Sequence, residues 1–194
     1  MRRLLLSAAI DYDKAMQNIS TKTGDKGETS LADGRRVSKA DLRVRVVGDL
    51  DELNSWLGVV VSHLGDAFTE QRQFLKTIQQ DLFTLGAEIA LADTEQVNQQ
   101  LLEQIEQRSQ ALQQTMAKNW HSKFLLPGGV PTAAWTDVAR TVCRRVERSL
   151  VALSEQDQQA VRPLVIKIIN RLSDYLYVLR CFINQKLEFK ELEH

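Results

Sequence analysis

Apolar residues recur at three- and four-residue intervals along most of the chain, the spacing that turns one side of an α-helix toward a core. Leu42, Val46, Leu50, Leu53, Leu57 and Leu64 mark a first helix, and Leu75, Ile78, Leu82, Leu85 and Ile89 a second. Val97, Leu101, Ile105, Leu112 and Met116 mark a third. A fourth begins after Pro131 with Thr132 as its N-cap and carries Val138, Val142, Val146, Leu150 and Leu153 as one stripe. Leu164, Ile168, Leu172, Leu176, Leu179 and Ile183 mark the fifth. Prolines 127, 131 and 163 each fall at or near a predicted helix boundary, where a missing N–H costs nothing. No β-branched alternating run stands out, so the pattern predicts an all-α fold, a five-helix bundle in a single domain.

Composition agrees with that fold class. At 194 residues, with 43% apolar and 26% charged, the chain can bury one substantial core. Residues 21–191 are expected to form the bundle, residues 1–20 an N-terminal extension, and Leu192, Glu193 and His194 look like the stub of an expression tag. The apolar run near Met1 is short, meets Asp11 and Asp13 at once and leads to no small-residue cleavage site, so the expected location is cytoplasmic. No later run is long enough to span a bilayer, and a net charge of zero argues against a general nucleic-acid binder. Cys143 and Cys181 lie far apart within helical patterns, which predicts buried free thiols. His63 and His121 have no clustered partners, so no zinc site is expected.

Two segments depart from simple bundle chemistry. Thr21–Ser30 (TKTGDKGETS) is small, hydroxylated and basic. Gly24 and Gly27 permit backbone angles that a Cβ would forbid, so that N–H groups can converge on a phosphate while Lys22 and Lys26 add charge. It is neither a Walker loop nor a dinucleotide fingerprint, and alone it reads first as an ordinary polar turn. In the fourth helix, Asp137, Arg140, Arg144, Glu147 and Arg148 share one face. That face is either solvated and internally paired, or, with three arginines and adjacent Arg145 against two acids in a neutral chain, a polyphosphate site. On the fifth helix Asn170 and Asp174 lie one turn apart, away from the apolar stripe; on the first, Asp51 and Asn54 lie close together, and solvent exposure is the simplest account of each.

Taken together these segments resemble the PduO-type ATP:cob(I)alamin adenosyltransferases, the corrinoid adenosyltransferase family. The resemblance runs through Thr21–Gly27 (TKTGDKG), Arg36–Lys39 (RVSK), Gly48–Ser55 (GDLDELNS), Phe124–Gly129 (FLLPGG), Ala139–Arg148 (ARTVCRRVER) and Asn170–Tyr175 (NRLSDY), in the family's order. Two departures are Arg45, where the family usually has an acid, and the residues 1–20 that precede the first motif.

The resemblance implies a homotrimer with the site between subunits. It implies ATP contacts from Thr21, Lys22, Thr23, Gly24, Asp25, Gly27, Thr29, Ser30, Lys39, Arg144, Arg145, Glu147, Arg148 and Asn170. It further implies an ion pair of Asp51 with Arg140 across the interface, and Phe124 pressed on the corrin face from which the lower ligand departs; Asp51, Phe124 and Arg140 are thus the cobalamin-binding set, and with Arg144 the catalytic one. The reaction implied is attack of cob(I)alamin on the 5′ carbon of ATP, with triphosphate expelled. Mg²⁺ would travel on the ATP phosphates, with no metal ligand assigned in the protein. A cob(II)alamin-reducing flavoprotein or flavin and an adenosylcobalamin-dependent enzyme are the implied partners. The alternative readings are a non-catalytic nucleotide-binding helical bundle and an adenosylcobalamin delivery protein.

Overall fold

The structure is a computed structural model that describes residues 22–91, 96–118, 120 and 125–191. Its described residues form a β-hairpin, β1 (Glu28–Ser30) and β2 (Arg36–Ser38), followed by α1 (Leu42–His63), α2 (Thr69–Ile89), α3 (Gln99–Thr115), α4 (Pro131–Gln156) and α5 (Pro163–Lys186). The five predicted helices are therefore present. The expected N-terminal extension, residues 1–20, together with Thr21, His121, Phe124 and the three C-terminal residues, lies outside the described residues.

Four of the five helices start at a capping side chain or a first-turn proline. The Asp41 carboxylate accepts from the Arg43 N–H at 2.8 Å and caps α1, while Asn98 accepts from the Leu101 N–H at 3.3 Å and caps α3. Pro131 and Pro163 occupy the first turns of α4 and α5, where their fixed φ suits the helix. Thr132 is not the cap of α4. Val130 holds that position, and the Thr132 hydroxyl instead donates to the His63 carbonyl at 3.2 Å, joining the start of α4 to the end of α1.

α4 packs against α1 and α5, α2 packs on α1, and α3 packs on α5. The core is the predicted set of stripes: Leu53, Leu57, Leu75, Val146, Leu150, Leu176 and Leu179 are all fully buried. Two polar clamps tie helix ends together. Arg162 forks onto Glu88 at 2.6 and 2.8 Å and reaches the Val97 carbonyl, and Arg43 bridges the Ile89 carbonyl and Asp157. Cys143 and Cys181 are buried free thiols. Burial pushes the Cys143 thiol far above its usual range, and its S–H donates to the Ile169 carbonyl at 3.3 Å. His63 is an ordinary helix-end residue, its Nδ1 2.8 Å from the Val59 carbonyl. Among the described residues no helix is long and apolar enough to cross a membrane.

The hairpin corrects the expectation of helix throughout. β1 and β2 are antiparallel, with Thr29 opposite Val37, and three-residue strands are too short to show alternation in the sequence. Gly34, at φ +85°, makes the turn, and Asp33 accepts from the Arg35 N–H and side chain, which holds its carboxyl below the usual range. Leu31 is buried, and the Ala32 N–H donates to the Ala90 carbonyl at 3.0 Å, so the hairpin is docked on the C-terminal end of α2.

Candidate active site

The basic loop is a folded turn. Lys22 adopts φ +58° and Gly27 φ +82°, the Gly27 N–H donates to the Gly24 carbonyl at 3.2 Å, and the Lys39 N–H donates to the Gly27 carbonyl at 2.8 Å. Only Gly27 needs its glycine for backbone angle. Gly24 is closely approached: a Cβ there would lie 3.0 Å from the Lys39 ammonium nitrogen and 3.3 Å from the Glu28 carbonyl oxygen, so a side chain would push Lys39 aside. The close approach brings Lys39 and the loop into one cluster, as expected for residues sharing one anion. Lys22, Thr23, Asp25, Gly27, Ser30 and Lys39 are exposed, and Thr29 is half-buried. Arg36 holds the cluster's shape. Its guanidinium donates to the Thr23 carbonyl at 3.0 Å and approaches Ser30 Oγ and Glu28 at 3.4 Å. Residue-type reasoning had no role for Arg36 beyond its place in a motif.

α4 presents the second cluster. Arg144 and Arg148 are exposed, and Arg148 donates to the Arg144 carbonyl at 3.1 Å. Arg145 differs: it is ion-paired with Glu52 and lies 3.6 Å from Asp49 of α1, while Ser149 donates to Asp49 at 2.6 Å. The bond from Cys143 to the Ile169 carbonyl sets Arg144 of α4 level with exposed Asn170 of α5. The charges of Glu147, Asp174 and Arg144 all act on the Cys143 thiol, which puts them on the same stretch of the paired helices. Arg144 and Glu147 thus lie on α4 and Asn170 on the α5 helix packed against it, while the loop clusters separately with Lys39. Within the chain the two clusters lie on different elements: the hairpin docks on α2, and the arginine face is built on α4 and α5.

Asp51 lies on a third surface. With Val47, Leu50, Leu82, Phe83 and Gly86 it lines an apolar groove of about 480 Å³ between α1 and α2, where Phe83 is 70% exposed. Asn54 lines the same groove but is buried, exchanging bonds of 3.2 and 3.1 Å with the backbone and side chain of Gln79, and its Oδ1 has no partner. Arg140 is elsewhere. Its Nε donates to Asp137 of the same helix at 2.7 Å, and Asp137 also lies 3.3 Å from Arg180 of α5.

That last contact was not legible as a site. Asp137, expected on the open polar face, is 6% exposed, and Arg180 is 2% exposed among apolar neighbours. Val138, expected on the buried stripe, is half-buried. Arg180 donates to the carbonyls of Leu126 at 2.8 Å and Gly128 at 3.3 Å and pairs with Glu191. Asn184 adds a bond to the Gly128 carbonyl, and accepts from the Val130 N–H. Gly129, at φ +117°, sits so close that a Cβ would collide with the Asn184 amide. The available signal was Arg180 itself, a single cation in the apolar run Leu176–Ile183.

Comparison with known proteins accounts for this combination of hairpin loop, arginine helix and bundle. The profile of the family described as Cobalamin adenosyltransferase matches residues 19–183. A cobalamin adenosyltransferase of Cupriavidus metallidurans is 37% identical over 170 residues, covering 88% of this chain and 90% of that protein. A corrinoid adenosyltransferase of Bacillus subtilis is 37% identical over 180 residues, covering 90% of each. Among solved structures, a phenylalanine-to-histidine variant of a PduO-type ATP:corrinoid adenosyltransferase from Lactobacillus reuteri, complexed with cobalamin and ATP, superposes with a TM-score of 0.85. It is 32% identical, and the match covers 91% of this chain and 96% of that one. The loop, the helices and the order of their motifs are those of one family, and this chain belongs to it: it is a member of the cobalamin adenosyltransferase family.

Proposed function

We propose that this chain transfers the 5′-deoxyadenosyl group of ATP to cob(I)alamin in a site shared between subunits of a homotrimer. The observation that carries the assignment of the ATP subsite is the Lys39 ammonium packed against Gly24, a cation brought up to an open turn of backbone. Lys22, Thr23, Asp25, Thr29 and Ser30 border that turn, with Thr21 preceding it. Arg144, Arg148, Glu147 and Asn170 complete the subsite from the neighbouring chain. Arg145, pinned by Glu52 and Asp49, keeps α4 seated on α1 and leaves the guanidiniums beside it projecting outward.

The two substrates supply the reacting atoms. Cobalt(I) donates an electron pair to the ribose C5′, a cobalt–carbon bond forms, the C5′–O bond breaks, and triphosphate leaves with that bond's electrons. No protein nucleophile is needed. The chain's task is to align cobalt with carbon and to meet the charge that grows on the leaving group. Lys39 and the loop N–H groups hold the triphosphate, and Arg144 and Arg148 strengthen their bonds as it departs. Asp51 and Arg140 close the corrin side as an ion pair between chains, and Phe124 covers the lower corrin face. Mg²⁺ would travel on the phosphate oxygens of ATP, with no ligand assigned in the protein. When bound it neutralises part of the triphosphate charge. A flavin or flavoprotein reduces cob(II)alamin beforehand, an adenosylcobalamin-dependent enzyme receives the product, and all of this belongs in the cytoplasm.

Replacement of Gly24 tests the ATP subsite. In Gly24→Val the branched side chain must displace the Lys39 ammonium, so the KM for ATP should rise on the order of tenfold while that for cobalamin stays within about twofold. Steady-state kinetics with each substrate varied in turn reads the difference; equal rises for both would remove the loop from the ATP site.

A further inference from the structure

Among the described residues Arg180 is a buried cation with no place in the proposed substrate contacts. Arg180 is 2% exposed in the middle of α5 and gathers three separate pieces of the protein. Its Nη2 donates to the carbonyls of Leu126 and Gly128, its Nη1 pairs with Glu191, and its Nε lies 3.3 Å from Asp137 Oδ2. The other oxygen of Asp137 accepts from Arg140 Nε at 2.7 Å. One carboxylate thus holds two guanidiniums, one buried and one at the surface, and the buried one grips the loop that leads into α4.

We propose that Asp137 and Arg180 are positioning residues that together set the direction of Arg140 and the course of the Leu126–Gly128 loop, and so couple the two elements that form the corrin side of the site. The inference rests on the adenosyltransferase reading given above. A long arginine side chain left alone samples many rotamers, and ordering it costs free energy that must be recovered on binding. Asp137 settles that cost in the free protein: a 2.7 Å bond to Nε fixes the plane of the Arg140 guanidinium and leaves its two terminal nitrogens for an acid on a neighbouring chain. Asp137 is in turn held in place by Arg180, whose buried guanidinium it and Glu191 together balance. The same Arg180 bonds to Leu126 and Gly128 mean that a shift of Asp137 is felt in the loop. Asn184 reinforces the arrangement from the next turn of α5, bonding both Gly128 and Val130.

The experiment is a double-mutant cycle on the purified full chain, with KM measured separately for cob(I)alamin and for ATP. Asp137→Asn keeps the side chain's size but removes the charge, and should raise the KM for cobalamin about tenfold while leaving that for ATP within about twofold. Adding Asp137→Asn to Arg140→Ala should raise it by much less than the further roughly tenfold of independent residues, because the first acts in large part through the second. Arg180→Lys retains the buried charge but cannot reach Asp137 and both carbonyls at once, and should show the same selective rise. That variant serves if Asp137→Asn does not fold, as judged by circular dichroism. Unchanged cobalamin KM in a folded variant, equal rises for both substrates, or multiplicative losses in the double variant would each overturn the proposal. A wild-type chain that makes no adenosylcobalamin would instead sink the reading on which it rests, so the two failures are distinct.

Discussion

Two variants that are each nearly inactive, Asp51→Asn and Arg140→Ala, are expected to recover activity when their subunits are mixed. Within one chain Asp51 lines the groove between α1 and α2, whereas Arg140 is held by Asp137 on the side of α4 that meets α5. A pair formed between them is most simply formed between chains. Removing either partner leaves the other's charge at a closed interface, and cobalamin use should fall on the order of a hundredfold. In a closed ring every interface takes Asp51 from one subunit and Arg140 from the next, so after random exchange of equal amounts about a quarter of interfaces carry both native residues. Activity near that fraction of wild type is expected once subunits have exchanged. The double variant should lose much less than the product of the single losses. No recovery after exchange, with exchange itself verified by mass spectrometry of tagged chains, would place the pair within one chain or apart.

The second large effect is expected from a change that preserves charge. Arg144 is exposed, carries no acid partner among the described residues, and lies level with Asn170 through the Cys143 to Ile169 bond. Its planar fork can meet two oxygens of the departing triphosphate, and Lys cannot reproduce that geometry. Arg144→Lys should therefore lose on the order of 2 kcal/mol of transition-state stabilisation, roughly thirtyfold in kcat, with the fold intact. Arg145 gives the internal control. Because Glu52 and Asp49 hold it on α1, its replacement should act on stability as well as on ATP use. Wild-type kcat in Arg144→Lys would remove it from the leaving-group site.

The sequence carried the helices because their signal is repeated: Leu75, Ile78, Leu82, Leu85 and Ile89 reinforce one another across about four turns, and all are buried. It carried the hairpin poorly because β1 and β2 hold three residues each and expose most of their side chains, so burial leaves no period to read. The cap of α4 was misplaced by two residues because Pro131 can itself occupy the first turn, which releases Thr132 to bond the end of α1. Gly24 was legible as a special position but for the wrong cause: the constraint is a tertiary neighbour, Lys39, and nothing local announces it. The Asp137–Arg180 pair was hidden for the same reason. At helical pitch Asp137 falls among the solvated charges of α4, and only the approach of α5 turns it into a buried acid. Conversely, Asn170 and Asp174 lie on the exposed side of α5 as the pattern required. Periodicity reports what a helix does on average over its length, whereas a site is made where two elements meet at particular residues.

The central claim is that this fold exists to join adenosyl to cobalt. Under anaerobic conditions the purified chain is mixed with chemically reduced cob(I)alamin and Mg-ATP, and absorbance is followed while the phosphate product is identified by phosphorus NMR. Conversion to the spectrum of adenosylcobalamin, with one intact triphosphate released for each corrinoid consumed, is the result predicted. ATP that binds tightly without spectral change, or that is cleaved to pyrophosphate or phosphate with the corrinoid unaltered, would contradict it.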